Sequence, residues 1–226
     1  MRRIVKTHAP AVYQHWVREN AAGPGYGYAA MPGPVKQCLK DQLLKEQGFL
    51  CAYTGLEIHD ATSHIEHLKP QSLPESLREP GEDVDYRNLV ACFPKDGGDT
   101  SYGYGAPVKG SWWDAALFVS PLSMECEQRF TFAWSGHVRA FPDGHQAATE
   151  TIDRLELDRQ ALCKLRRQAI YSFFGFSSAN PITKTDARRL LQEIEKPNAE
   201  GHLRPFCFVL KQMLERYLSN TDAHHG

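Results

Sequence analysis

Two hydrophobic periodicities divide this chain. Val35, Leu39 and Leu43 recur on one helical face behind Pro34, which suits a first turn, and ahead of Gly48, a plausible C-terminal cap; together they predict a helix over 34–47. The same spacing returns after Asp158, read as a cap, with Leu162, Leu165, Ala169, Ile170 and Phe173 on one face and Gly175 after them. Thr183 with Asp186 resembles a capping box before Leu190, Leu191 and Ile194, and Val209, Leu210, Met213, Leu214 and Tyr217 predict a last helix within 205–218. Near the start, 12–17 could form a short helix, and the Gly and Pro residues from Gly23 to Pro34 make a loop.

Extended segments lie between. Residues 49–53 and 56–58 flank a Thr54-Gly55 turn, and 64–68 reads as a further strand ended by Pro70. Asn88 stands where an apolar run follows polar residues, as the start of a turn or short helix. Residues 95–110, rich in Gly and Tyr and without periodicity, read as a loop, and 129–134 with 137–141 alternate around Ser135-Gly136 as the best hairpin in the chain. The pattern predicts an α+β fold, mainly helical, with an additional β-hairpin.

Composition narrows the classes. A chain of 226 residues could bury one sizeable core, or a compact core with a helical extension. Lys plus Arg number 26 against 27 Asp plus Glu, so attraction to a polyanion must come from local patches rather than net charge. No stretch has the roughly 18 apolar residues of a membrane span, and the first residues lack the apolar run of a signal peptide, which predicts a cytoplasmic protein. Its six cysteines, with no Cys-x-x-Cys, then read as free thiols or metal ligands.

The chemistry concentrates in His64-Ile65-Glu66-His67-Leu68-Lys69-Pro70 and Asp85-Tyr86-Arg87-Asn88-Leu89. On a strand, Glu66 and His64 share one side and His67 the other. Glu66 could hold a divalent cation while His67, a titrating base, takes a proton from water for attack on a phosphodiester. Asn88 would tie down the loop by bonding backbone groups, fixing the His67 backbone. His64 is either a second ligand or an ordinary surface histidine. Lys109 could contact a phosphate. Arg154, Arg159, Lys164, Arg166 and Arg167 read equally as a phosphate-binding patch or a solvated helix face. Tyr102, Tyr104, Trp112 and Trp113 could stack on bases, although the tryptophans suit core or partner contacts better.

The order Cys-Ala-Tyr at 51–53, Ile-Glu-His at 65–67, Pro70, Tyr-x-Asn-Leu at 86–89 and Cys92 resembles the HNH endonuclease superfamily. Arg2-Arg3-Ile4-Val5-Lys6, Glu46-Gln47-Gly48, Lys109-Gly110-Ser111-Trp112, Ser120-Pro121-Leu122, Cys126-Glu127 and the leucine pattern from Thr151 to Leu162 resemble, more closely, the PtuB-type effectors of Septu and retron anti-phage systems. The resemblance runs to about residue 175. It implies a ββα-metal centre, with a nuclease core at about 49–115 inside an N-terminal region 1–145 and a helical region 146–226 packed on the same core. It also implies a divalent metal, Mg2+, at Glu66, with His67 and Asn88 catalytic and Lys109 binding nucleic acid. The implied partners are a PtuA-like ABC/SMC-type ATPase and, in retrons, a reverse transcriptase with its RNA-linked DNA.

The chain departs from that pattern at two places. Where relatives have four zinc-binding cysteines only Cys51 and Cys92 remain, with Thr54 three residues after Cys51 and no partner for Cys92 near Gly105. Hydrogen bonding and apolar packing are expected in place of structural zinc, unless His59 or His64 completes a site. Ahead of Lys109 stand Gly105-Ala106-Pro107-Val108 instead of a His or Asn, so a third metal ligand is unassigned, with Asp99 and Asp114 as candidates. Two functions follow as expectations: a metal-dependent nuclease effector causing abortive infection, or a catalytically degenerate HNH-derived adaptor. A purely structural zinc-knuckle protein has too few thiols.

Overall fold

Pro10 precedes a first helix over Ala11–Asn20 (α1), and a short turn at Tyr28–Ala30 interrupts the loop that follows. The next helix, Gly33–Glu46 (α2), has Pro34 in its first turn and buries Val35, Leu39, Leu43 and Leu44, the face expected from the spacing. The computed structural model describes residues 1–175 and 182–219; parts of the region expected over 146–226 therefore lie outside the described residues.

A strand at His64–His67 (β1) pairs antiparallel with one at Leu89–Cys92 (β2), with His64 opposite Cys92 and His67 opposite Leu89. All four residues of β2 are buried. Asn88 therefore ends the turn Tyr86–Asn88 and leads into a strand, not a helix; a short apolar run buried on both faces lacks the periodicity that separates the two. The extended pieces expected around Thr54-Gly55 reduce to one bridge, between Leu50 and Glu57.

The Glu46-Gln47-Gly48 segment explains how α2 meets this ribbon. Gln47 Nε2 donates to the Ala91 carbonyl at 2.8 Å and Gln47 Oε1 accepts from Ala91 N at 2.7 Å, so a side-chain amide does for β2 what another strand would do. Glu46 accepts from Lys6 Nζ at 2.6 Å and from the Tyr86 hydroxyl at 2.7 Å, while Lys6 Nζ also donates to the Leu89 carbonyl. Gly48 has φ +61, and a Cβ there would lie 2.5 Å from Leu203.

Beyond β2 the stretch expected as a loop contains a single helical turn, Ala106–Lys109 (α3). The hairpin forms as expected: Phe130–Phe132 (β3) pairs with Val138–Ala140 (β4), with Phe130 opposite Ala140. Helices follow at Gln146–Arg154 (α4), Gln160–Phe174 (α5), Lys184–Glu193 (α6) and Cys207–Ser219 (α7). Thr183 Oγ1 accepts from Asp186 N at 3.1 Å, the expected cap of α6. Asp158 does not cap α5. Its Oδ1 accepts from Val138 N at 2.7 Å instead, holding the hairpin to the start of that helix.

The fold is α+β, mostly helical, with two small antiparallel two-stranded sheets among the described residues. α4 packs on β4, and α7 packs on β3, α5 and α6. Ile4, Leu39, Ile58, Leu89, Phe130, Leu162, Phe174 and Leu210 belong to one apolar cluster. No helix among the described residues is long and apolar enough to cross a membrane.

Candidate active site at Glu66 and His67

β1 presents Glu66 and His67 to different surroundings. The Glu66 carboxylate meets three donors: Lys109 Nζ at 2.9 Å and the Tyr53 hydroxyl at 3.2 Å on Oε1, and His64 Nε2 at 3.3 Å on Oε2. Burial opposes ionisation of Glu66, but the hydrogen bond from His64 and the charge and hydrogen bond of Lys109 outweigh it and hold the carboxyl below its ordinary value. Burial likewise disfavours a charged His64. Its bonds to Glu66 and to the Pro94 carbonyl prevail, so the imidazole is raised. Because His64 Nδ1 donates to Pro94, Nε2 is the nitrogen turned to the carboxylate.

His67 is 7% exposed. Its Nε2 donates to the Asp83 carbonyl at 2.9 Å and its ring stands edge-on to Tyr28, with centroids 4.7 Å apart. Burial, only partly offset by the Asp83 carbonyl, lowers its pKa, which keeps the ring neutral near pH 7 with the lone pair on Nδ1.

Asn88 links both ends of the loop that joins β1 to β2. Its Oδ1 accepts from Lys69 N at 2.7 Å, and its Nδ2 donates to the Lys69 carbonyl at 3.1 Å and the Glu82 carbonyl at 3.0 Å. Its own carbonyl accepts from Leu68 N at 2.8 Å. The residues immediately after His67, and Glu82 immediately before Asp83, are thus held by one side chain. Asp83 is the residue whose carbonyl orients the imidazole.

Lys109 corrects an expectation. A lysine in an exposed loop suits a phosphate contact, but this one ends α3 and is 2% exposed. Besides Glu66, its ammonium donates to the His67 carbonyl at 3.0 Å. It is therefore a buried counter-charge of Glu66, which no local sequence signal distinguishes from a surface lysine. Tyr53, the other partner of Glu66 that sequence reasoning missed, lies in the Cys-Ala-Tyr triplet.

The remaining candidates fall elsewhere. Asp99 accepts from Ser101 N and Asp114 from Ala116 N and Leu117 N, each serving its own turn. Of the five basic residues around α5, Arg166 is buried and Arg154 pairs with Glu150 at 2.7 Å and lies over Trp112, while Arg159, Lys164 and Arg167 are exposed. Trp112 and Trp113 pack on Phe118, and Tyr104 is buried; Tyr102 remains exposed.

The four zinc-knuckle positions do converge. Cys51 and Cys92 are buried free thiols that perturb each other's ionisation, Phe93 N donates to Cys51 Sγ at 3.4 Å, and a Cβ on Gly105 would lie 3.2 Å from Thr54. Two thiols, a hydroxyl and a glycine do not fit a four-thiolate ion. Nor do the residues at Glu66 fit a divalent ion as they stand. One carboxylate oxygen is already paired with Lys109, and no group of three His, Cys, Asp or Glu donors among the described residues includes Glu66. Two such groups lie elsewhere: Glu57 with His59 and His202, and His137 with Asp158 and Cys163.

No family model matches the chain. The chain is similar to an HNH endonuclease-like protein, in agreement with the motif order around Glu66-His67. The relative is the Vibrio cholerae serotype O1 biovar El Tor protein named "Retron Vc95 putative HNH endonuclease", 28% identical over 142 residues. That match takes in 60% of this chain and 65% of the relative.

Proposed function

We propose that this chain is a nuclease effector of the HNH type, a hydrolase of nucleic-acid phosphodiester bonds. It would act on DNA or tRNA in a retron- or Septu-like anti-phage system, leading to abortive infection. The observation that supports this reading best is the Asn88 clamp, which holds the backbone just after His67 and just before its partner Asp83. His67 is the general base: neutral, oriented through Nε2, and able to take the proton of an attacking water at Nδ1. Asn88 is a positioning residue. The ribbon β1–β2 with the one-turn α3 is a reduced ββα centre.

The same geometry suits an effector that is closed at rest. The imidazole is buried and Glu66 is occupied by Lys109. A nuclease that damages its host must be restrained, and the partners implied by resemblance, a PtuA-like ATPase and a retron reverse transcriptase with its RNA-linked DNA, would supply both the restraint and its release. The second reading, a degenerate adaptor that binds nucleic acid or the ATPase, is favoured by the same Lys109–Glu66 pair, because the position of a catalytic cation is taken by an ammonium.

Co-expression with the neighbouring ATPase separates the two. Wild-type growth arrest with cleaved DNA or tRNA, abolished by His67→Ala at unchanged protein level and complex formation, is the expected result. Equal toxicity or phage protection by His67→Ala would remove His67 as the base and leave the adaptor. Dependence on Mg2+ is read on the purified complex: cleavage that survives chelation with EDTA would exclude a divalent requirement.

A further inference from the structure

The turn of the β3–β4 hairpin carries a cluster unrelated to Glu66. His137 Nδ1 lies 2.9 Å from Asp158 Oδ2 and 3.6 Å from Cys163 Sγ, and Sγ lies 3.4 Å from Asp158 Oδ1. A Cys-His-Asp relay needs the thiol and the carboxylate on different ring nitrogens, so that the proton passes through the imidazole. Here both face Nδ1. Three donors around one point is the arrangement of a metal site instead. With metal–ligand lengths of about 2.0–2.3 Å, tetrahedral edges of about 3.3–3.6 Å follow; Nδ1–Sγ at 3.6 Å matches, Nδ1–Oδ2 at 2.9 Å has to open slightly, and one ligand atom from each of the three residues lies within 4.8 Å of the others.

The cluster is also held from behind. Buried Arg166, one turn beyond Cys163 on α5, donates through Nη1 to the Gly136 carbonyl at 2.6 Å and through Nη2 to the Leu157 carbonyl. Gly136 and Leu157 immediately precede His137 and Asp158, so one guanidinium sets the backbone of two donors from the helix that carries the third. Gly136, at φ +86, leaves no room for a side chain: a Cβ would lie 2.1 Å from the Cys163 carbonyl. Val138 N holds Asp158 Oδ1, which leaves Oδ2 for a ligand. Such second contacts orient ligands in built metal sites.

We propose that His137, Asp158 and Cys163 form a binding site for a zinc-type transition-metal ion. His137 Nδ1, Asp158 Oδ2 and Cys163 Sγ are its ligands, and water takes the fourth position. The side chains of His137 and Asp158 are 52% and 40% exposed, so the ion enters from solvent while the sulfur closes the inner side. On binding, the Cys163 S–H proton is lost to solvent and the imidazole proton moves from Nδ1 to Nε2. The ion would staple the hairpin to α5, far from any requirement on His67. The alternative group, Glu57, His59 and His202, has donors 3.6 and 3.9 Å apart and no sulfur, which makes the two sites distinguishable.

The test is titration of the full-length, metal-stripped protein with Co2+, followed by Zn2+ competition. One equivalent of Co2+ should give tetrahedral visible bands together with a thiolate-to-cobalt charge-transfer band, both displaced by Zn2+. Cys163→Ser should remove the charge-transfer band. His137→Ala, a change at an exposed turn, should weaken binding roughly 10-fold or more while leaving the circular dichroism unchanged. No charge-transfer band with wild type overturns the proposal, as does a band that survives Cys163→Ser or a cobalt affinity unchanged by His137→Ala in folded protein; visible bands alone would move the ion to a site without sulfur and overturn it equally.

Discussion

Lys109 places its ammonium 2.9 Å from Glu66 Oε1, and so joins the last residue of α3 to the acidic residue of β1. With side-chain exposures of 0% and 15% the pair is screened little by water. A buried charge left without its partner costs far more than the pair contributes when complete.

Lys109→Met should therefore destabilise the protein by about 3 kcal/mol or more, and Glu66→Gln added to it should restore much of the loss. Urea unfolding of the two single variants and the double variant checks this. Additive losses would mean that the two residues do not act on each other.

Asn88→Ala deletes one acceptor and two donors of the loop clamp, with an expected cost of about 2 kcal/mol. Asn88→Asp should cost at least as much, since a carboxylate can accept from Lys69 N but turns a negative charge on the Lys69 and Glu82 carbonyls. Amide exchange at Lys69 should accelerate in both variants. Protection equal to wild type would show that the loop is held by other contacts.

The two ends of the β1 cluster titrate in opposite senses. Glu66 is lowered, so its contribution is present above the ordinary carboxylate value of about 4.3 and is lost as pH falls through the lowered one. His64 is raised, so its contribution is complete below the ordinary imidazole value of about 6.5 and is lost as pH rises through the raised one. His64→Gln should consequently cost most in mildly acidic solution and least in alkaline solution. Unfolding free energies of both proteins across pH give the comparison, and a gap that does not change with pH would separate His64 from Glu66.

Gly136→Ala requires a left-handed backbone and a clash with α5 at once, for an expected loss of about 2–4 kcal/mol. Thermal unfolding measures it. A melting temperature equal to wild type would mean that the hairpin tip moves freely off the helix.

Much of this protein is determined locally, and the sequence by itself is sufficient there. The buried face of α2, the cap at Thr183 and the turn at Gly136 each depend on residues a few positions apart, where spacing and side-chain chemistry act directly. Tertiary structure decided the rest. Leu89–Cys92 is a strand because β1 and Gln47 take up its backbone groups, Lys109 is buried because β1 lies over α3's last turn, and Asp158 bonds Val138 rather than the start of α5 because the hairpin places a backbone N–H beside its carboxylate. In each case the partner is supplied by a distant part of the chain. An apolar run, a lysine or an aspartate has the same local pattern whether its partner is water or a buried group, so only packing could set the role.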